Sequence, residues 1–214
     1  MKGYKGMGME GSIARWYERT TGKDLEEFRR EAELLKDVLA DGGDVLEIAP
    51  GPGFLAVEIA RDARFRVTGV DISRTFVEIA RKNAAQASVA VDFRHGNASD
   101  MPFAADSFDL LVCRAAFKNF SEPRKAIGEM RRVLRPGGTG VIIDLRRDVP
   151  MTEVKRHVDN MHLGVVSRML TTQVFRFMLL KRAYTKPEME SMLTGFKTVQ
   201  VLPDDIGMHA WFEK

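Results

Sequence analysis

The segment Val45-Leu46-Glu47-Ile48-Ala49-Pro50-Gly51-Pro52-Gly53-Phe54 constrains the fold more than any other part of the chain. A short apolar run enters a Pro/Gly turn and passes at once into a helical pattern, Phe54 to Arg61, which predicts a buried strand, a tight turn and a helix. Such a turn lets backbone approach a ligand closely, because Gly51 and Gly53 lack the side chains that would stand in the way. Glu47, at the strand end, is placed to hold a cationic ammonium group. Asp71 closes the next apolar run, Val67-Thr68-Gly69-Val70-Asp71, twenty residues after Gly51. A carboxylate at that point can accept bonds from both hydroxyls of a ribose. Ser73 is available to cap the following helix, which leaves Asp71 free for a ligand. Without a ligand the same residues read as a tight βα turn and an acidic cap; together they favour a nucleoside site.

Strand and helix patterns alternate beyond this point: strands at 45–48, 66–71, 89–93, 108–113 and 139–144, and helices at 54–61, 74–87 and from a Ser121 cap to Leu134. Arg135-Pro136-Gly137-Gly138 is expected to stop the last helix. Before them, Ser12 is expected to cap a helix over 13–19, and Asp24 with Glu27 forms a capping box for a helix over 25–40. After them comes a long crossover, with helical patterns at 152–161 and 165–183 and a capping box at Thr185-Lys186-Pro187-Glu188. Phe196–Leu202 and Met208–Glu213 then read as an antiparallel hairpin. The expected architecture is α/β: a Rossmann-like, doubly wound, seven-stranded sheet, mostly parallel with an antiparallel last strand, preceded by a helical N-terminal segment and carrying a helical lid. One domain is expected over 1–214, divided into leader and helices (1–40), cofactor core (41–144), crossover or lid (145–195) and terminal hairpin (196–214).

Composition limits the alternatives. The 214 residues include 33 Lys plus Arg against 30 Asp plus Glu, a net +3 that permits an anionic partner without requiring one. Neither a dense basic run nor an appended domain favours nucleic acid. The single cysteine, Cys113, rules out an intrachain disulfide and a Cys-rich zinc site, and no His/Asp/Glu spacing supports a metal. The longest stretch without a charged residue is far shorter than a spanning helix, so no transmembrane segment is expected, and Met1 to Gly11 read as a flexible leader. A cytoplasmic location is the simplest reading. Nicotinamide chemistry fits poorly, since aligning Gly-x-Gly-x-x-Gly from Ala49 puts Phe54 at the third glycine position.

These residues resemble the class I S-adenosylmethionine-dependent methyltransferases, in particular the ubiquinone/menaquinone C-methyltransferase-like branch. The resemblance runs from about Asp41 to Asp144. Glu47-Ile48-Ala49-Pro50-Gly51-Pro52-Gly53 matches the acidic glycine-rich motif, and Val70-Asp71-Ile72-Ser73 the ribose motif. His95 to Phe103 matches the adenine-contacting stretch, Ser107 to Cys113 the fourth strand, and Leu134 to Gly138 the loop before the fifth. The resemblance implies S-adenosylmethionine as cofactor, S-adenosylhomocysteine as product and a small, partly apolar acceptor. The implied cofactor residues are Glu47, Ala49, Gly51, Gly53, Asp71, Ile72, Asn97, Ala98, Cys113 and Arg114. Ala49 stands at the usual first glycine, and Asn97 where Asp is common. The carboxamide oxygen of Asn97 could accept from the adenine amino group, or cap a turn locally.

On the acceptor side, Phe117, Lys118 and Asn119 follow the fourth strand; a His-His pair often stands in this family where Lys118 and Asn119 do here. Asp144, His157 and His162 are candidate bases, and Met161, Phe177 and Tyr184 candidate acceptor contacts from the crossover. The crossover is read as either a lid over an apolar acceptor or an ordinary core or homodimer helix. Trp16 and Tyr17 either close over the cofactor or pack the first helix.

Overall fold

The computed structural model describes residues 3–5, 8–22, 25–161 and 163–214. Two helices, α1 (Gly11–Thr21) and α2 (Leu25–Val38), lead into a βα alternation: β1 (Gly43–Ile48), α3 (Phe54–Ala60), β2 (Phe65–Asp71), α4 (Arg74–Gln86), β3 (Val91–His95), β4 (Phe108–Arg114), α5 (Pro123–Val133) and β5 (Leu134–Leu145). The crossover consists of α6 (Met151–Asp159), α7 (Val165–Val174), a π-helical turn over 175–179, α8 (Leu180–Arg182) and α9 (Lys186–Met192), before the hairpin β6 (Thr198–Asp204) and β7 (Gly207–Glu213).

The seven strands form one sheet in the order β3-β2-β1-β4-β5-β7-β6. β1 to β5 are parallel, and β7 runs antiparallel between β5 and β6. Strand periodicity divides the core between the two faces. Leu46, Leu111, Cys113 and Ile142 pack with Met130 of α5 and Met189 of α9. Their neighbours Val45, Leu110, Val112 and Val141 pack with Phe28 and Leu35 of α2, Leu55 and Ile59 of α3 and Val77 of α4. A third cluster, Val149, Val154, Val158, Phe175, Leu180 and Ile206, holds the crossover to the β6–β7 turn. That turn follows Asp204, and Gly207 pairs with Leu145, so the crossover sits at the edge where the parallel strands end.

Several expected boundaries move. β3 begins at Val91 because its register is set by Val67–Asp71 of β2. Ser12 and Ser121 lie at or beside helix starts without capping them: Glu10 occupies the N-cap of α1 and Glu122 that of α5. The Glu10 carboxylate instead accepts from the Arg74 and Thr75 amides at the start of α4, tying α1 to that helix. Ser73 does cap α4, its hydroxyl accepting from the Phe76 amide, and the Thr185–Glu188 capping box is present. Asp24, of the other expected box, lies outside the described residues. Arg135-Pro136-Gly137-Gly138 is already strand: Leu134 pairs with Phe108, and the chain end joins in through Gly137 N–H to Lys214 O and Lys214 N–H to Gly138 O.

Candidate active site

The switch point, where β1 meets β4 and the chain winds off in opposite directions, is the position at which open α/β sheets bind ligands. The β1–α3 turn supplies the floor. Ala49, Gly51 and Gly53 all have positive φ (58°, 56° and 78°), so the backbone turns through the left-handed region three times in five residues. A Cβ at Gly51 would approach nothing closer than the rings of Tyr17 and Phe76, at 4.0 Å, leaving room above the backbone. Gly53 serves another end. A Cβ there would lie 2.8 Å from Ala80 and 2.7 Å from Phe93, so the missing side chain of this glycine lets helix and strand pack.

Two buried carboxylates flank this floor. Asp71 accepts from Gly51 N–H (3.0 Å) through one oxygen and from Ser73 N–H (2.8 Å) through the other. Burial pushes its pKa up to about 6 despite those bonds. Each oxygen keeps a lone pair for a further donor. Glu47 accepts from Ala56 N–H (2.9 Å), holding the first turn of α3, and burial pushes it up to about 8. Two desolvated carboxyls beside an open backbone cradle fit a ligand that brings hydroxyls to one and a cation to the other, which is the chemistry of S-adenosylmethionine's ribose and methionine ends.

Around them the structure sorts the remaining expectations. The Asn97 oxygen accepts from Ser99 N–H (3.0 Å), the local-turn alternative, while its amide nitrogen faces Gly3. Ile72 lies against Gly3 too, and Ala98 packs on the core. Gly3–Lys5, expected as flexible leader, instead runs along residues 119–121: Lys5 N–H donates to Asn119 O (2.7 Å) and Ser121 N–H to Gly3 O (3.2 Å). Lys5 Nζ reaches the Tyr184 hydroxyl at 3.3 Å. Burial raises the pKa of the Tyr4 phenol, with Arg182 opposing and Tyr17 and Asp71 adding to the rise. Of the α1 aromatics, Tyr17 faces the site and packs edge-on to Phe76, whereas Trp16 points to solvent. No sequence signal marks this strap, because its two backbone bonds are made to residues more than a hundred positions away and need neither apolar run nor turn residues.

At the ends of β4 and β5, Cys113 is buried in the core, its thiol pushed well up by burial. The Arg114 guanidinium bonds Glu27 (2.6 Å) and Glu31 over the Phe28 ring, clamping α2 to the strand end. Asp144 does not stand free as a base. Its Oδ1 accepts from Lys118 Nζ at 2.7 Å and its Oδ2 from Lys118 N–H at 2.8 Å, both side chains being nearly inaccessible. Phe117 is fully buried against Phe120 and Tyr184, and Tyr184 also lines a groove of about 660 Å³ with Pro123, Pro187 and Met192. Asn119 accepts from Arg182 at 3.5 Å. His157 pairs with Asp205 in the crossover cluster at 2.5 Å, and Met161 and Phe177 are about half exposed, so none of the three is brought to Phe117 or Asp144. His162 lies outside the described residues. Among the described residues no His/Cys/Asp/Glu group is arranged to hold a metal.

A buried carboxylate at the tip of β2 and a left-handed glycine turn at the switch point of a sheet ending in an antiparallel pair are the arrangement of the class I methyltransferase fold. A methyltransferase-domain family model matches residues 46–142. The ubiquinone/menaquinone biosynthesis C-methyltransferase of Geotalea daltonii is 28% identical over 96% of this chain and 81% of its own length. The demethylmenaquinone methyltransferase of Thermus thermophilus is 33% identical over 58% of this chain, and the match spans only 56% of that relative. The fold matches the crystal structure of a candidate S-adenosylmethionine-dependent methyltransferase from Methanococcus maripaludis with a TM-score of 0.71, at 20% identity, covering 98% of this chain and 95% of that one. Over residues 46–142 the chain carries a methyltransferase domain, and it is similar in sequence to the ubiquinone/menaquinone C-methyltransferases.

Proposed function

We propose that this enzyme methylates a small, partly apolar acceptor whose reacting atom arrives already nucleophilic, with positioning and desolvation in place of a dedicated base. The observation that carries the reading is the Lys118–Asp144 pair: the carboxylate at the tip of β5 is neutralised by a buried ammonium. An acceptor such as an enolate-like ring carbon or an amine lone pair needs no proton removed first. When bound, the cofactor supplies a sulfonium-activated methyl group. Asp71 would accept from its ribose hydroxyls, Glu47 would face its ammonium, and the Gly51 backbone would lie along its amino-acid end. Tyr17 and Tyr4 would exclude water from above. Ala115, with φ 55° after β4, bends the chain so that Phe117 and Tyr184 back the acceptor side. The buried free thiol of Cys113 suits a reducing, cytoplasmic setting.

The test is transfer of labelled methyl from S-adenosylmethionine to a panel of ring-activated carbon, amine and phenol acceptors. Demethylmenaquinone, named for several relatives, is included first. Turnover of acceptors with a pre-formed nucleophile, with a kcat flat between pH 6.5 and 8.5, is expected. Turnover confined to protonated acceptors, rising with a pKa near neutrality, would overturn the base-free reading.

A further inference from the structure

The crossover carries a surface that the methyl-transfer site does not use. None of the ten residues of α7 is buried. Val165, Val166, Met169 and Leu170 are each about two-thirds exposed, and Phe177 and Met178 about half. Solvated apolar area on one helix and the following turn is unusual on a monomer surface and marks a docking face.

The charge around it is one-sided. Between Leu163 and Pro187 there is no Asp or Glu, but five basic residues, Arg168, Arg176, Lys181, Arg182 and Lys186. The whole chain has a net charge of +3, so with these five set aside the rest carries −2. The cations border the apolar face itself: the Arg176 guanidinium lies 5.1 Å and the Lys181 ammonium 5.5 Å from the centre of the Phe177 ring. Among the described residues Arg176, Lys181 and Arg182 have no carboxylate ion-pair partner, while Arg168 pairs with Asp159 at 3.1 Å. Lys186 likewise pairs with Glu190, at 3.7 Å.

Apolar side chains bordered by cations that no carboxylate neutralises, here Arg176 and Lys181, are the composition of a helix that lies in a membrane interface. A second copy of the chain would set the unpaired cations Arg176, Lys181 and Arg182 against their own copies across the contact, and a nucleic acid would leave Val165, Val166, Met169 and Leu170 without a partner. We propose that α7 and the turn after it dock this protein on an anionic lipid bilayer, with Val166, Met169 and Leu170 entering the acyl boundary and Arg176 and Lys181 meeting phosphate headgroups. The patch adjoins the site, since Arg182 bonds the Lys5 carbonyl of the strap at 3.2 Å. This inference stands on the α7 surface and not on the identity of the acceptor.

Full-length protein is sedimented with vesicles of equal phosphatidylglycerol and phosphatidylcholine, and with phosphatidylcholine alone. Binding to the anionic vesicles only, weakened in 0.5 M salt, is expected. Each cation near the surface should be worth about fivefold in partitioning, so Arg176→Gln/Lys181→Gln should lose about 25-fold. Val166→Asp/Met169→Asp should abolish binding while keeping the wild-type melting temperature and S-adenosylhomocysteine affinity, because both side chains are exposed. No sedimentation with anionic vesicles would overturn the proposal. So would equal binding by the Val166→Asp/Met169→Asp protein, or a wild-type dimer at micromolar concentration that this variant dissociates.

Discussion

Removing the Lys118 ammonium tests how the acceptor side is held together. In Lys118→Met the Asp144 carboxylate stays buried and keeps only backbone donors, Lys118 N–H and Leu145 N–H, both at 2.8 Å. The carbonyl of Ala115, itself strained at φ 55°, also loses the Nζ donor that it meets at 2.6 Å. Breaking a buried pair from one side costs about 3–5 kcal/mol, because an uncompensated charge remains. The two surviving donors argue for the lower end, about 3 kcal/mol. For a chain of this size each kcal/mol moves Tm by about 2–4 °C, so a fall of about 6–12 °C is expected. Lys118→Met/Asp144→Leu removes both charges and should recover most of the loss, since an apolar replacement of similar volume is often neutral. Urea unfolding of wild type, both single variants and the double variant gives the coupling directly. A loss below about 1 kcal/mol in Lys118→Met, or a double variant no more stable than that single one, would refute the buried-pair argument.

Asp71, with its folded pKa raised to about 6, titrates with two opposite consequences. Its proton is held more tightly in the folded chain, so its contribution to stability is full below about pH 4 and is lost as pH rises through 6, about 3 kcal/mol in all. Accepting from ribose hydroxyls needs the ionised form, so S-adenosylhomocysteine affinity should instead fall about tenfold per unit below pH 6, and calorimetry showing a flat affinity from pH 7.5 to 5 would exclude the role. Glu47, pushed to about 8, is protonated at pH 7 in the free protein; an ammonium beside it should expel that proton, so binding heats should differ between buffers of high and low ionisation enthalpy. Ala49→Gly relieves a left-handed alanine at φ 58° and should raise the urea midpoint by up to about 1 kcal/mol of stability, whereas a lowered midpoint would deny the strain.

The sequence by itself determined the βα order, because apolar runs of strand length bounded by Gly/Pro turns leave little other choice. It also brought Glu47, Gly51 and Asp71 to one edge, since strands β1 and β2 are parallel and both end there. The Thr185 capping box and the Ser73 cap were legible for the same reason: each is a local bond between residues three apart. What only the tertiary structure decided depended on partners far away in sequence. Lys118 and Asp144 are 26 residues apart and meet because β4 and β5 are neighbours, which turns a candidate base into half of an ion pair. Arg114 finds Glu27 and Glu31, more than eighty residues earlier in the chain, because α2 packs across the end of β4. Gly3–Lys5 becomes ordered only by borrowing backbone bonds from residues 119–121. Gly53 proved to be a packing glycine because Phe93 and Ala80 crowd its missing side chain. The apolar face of α7 read as lid, core or dimer helix in the sequence, since periodicity says that a helix has something to bury but not what covers it. Three-dimensional placement left that face open and put the cations around its rim.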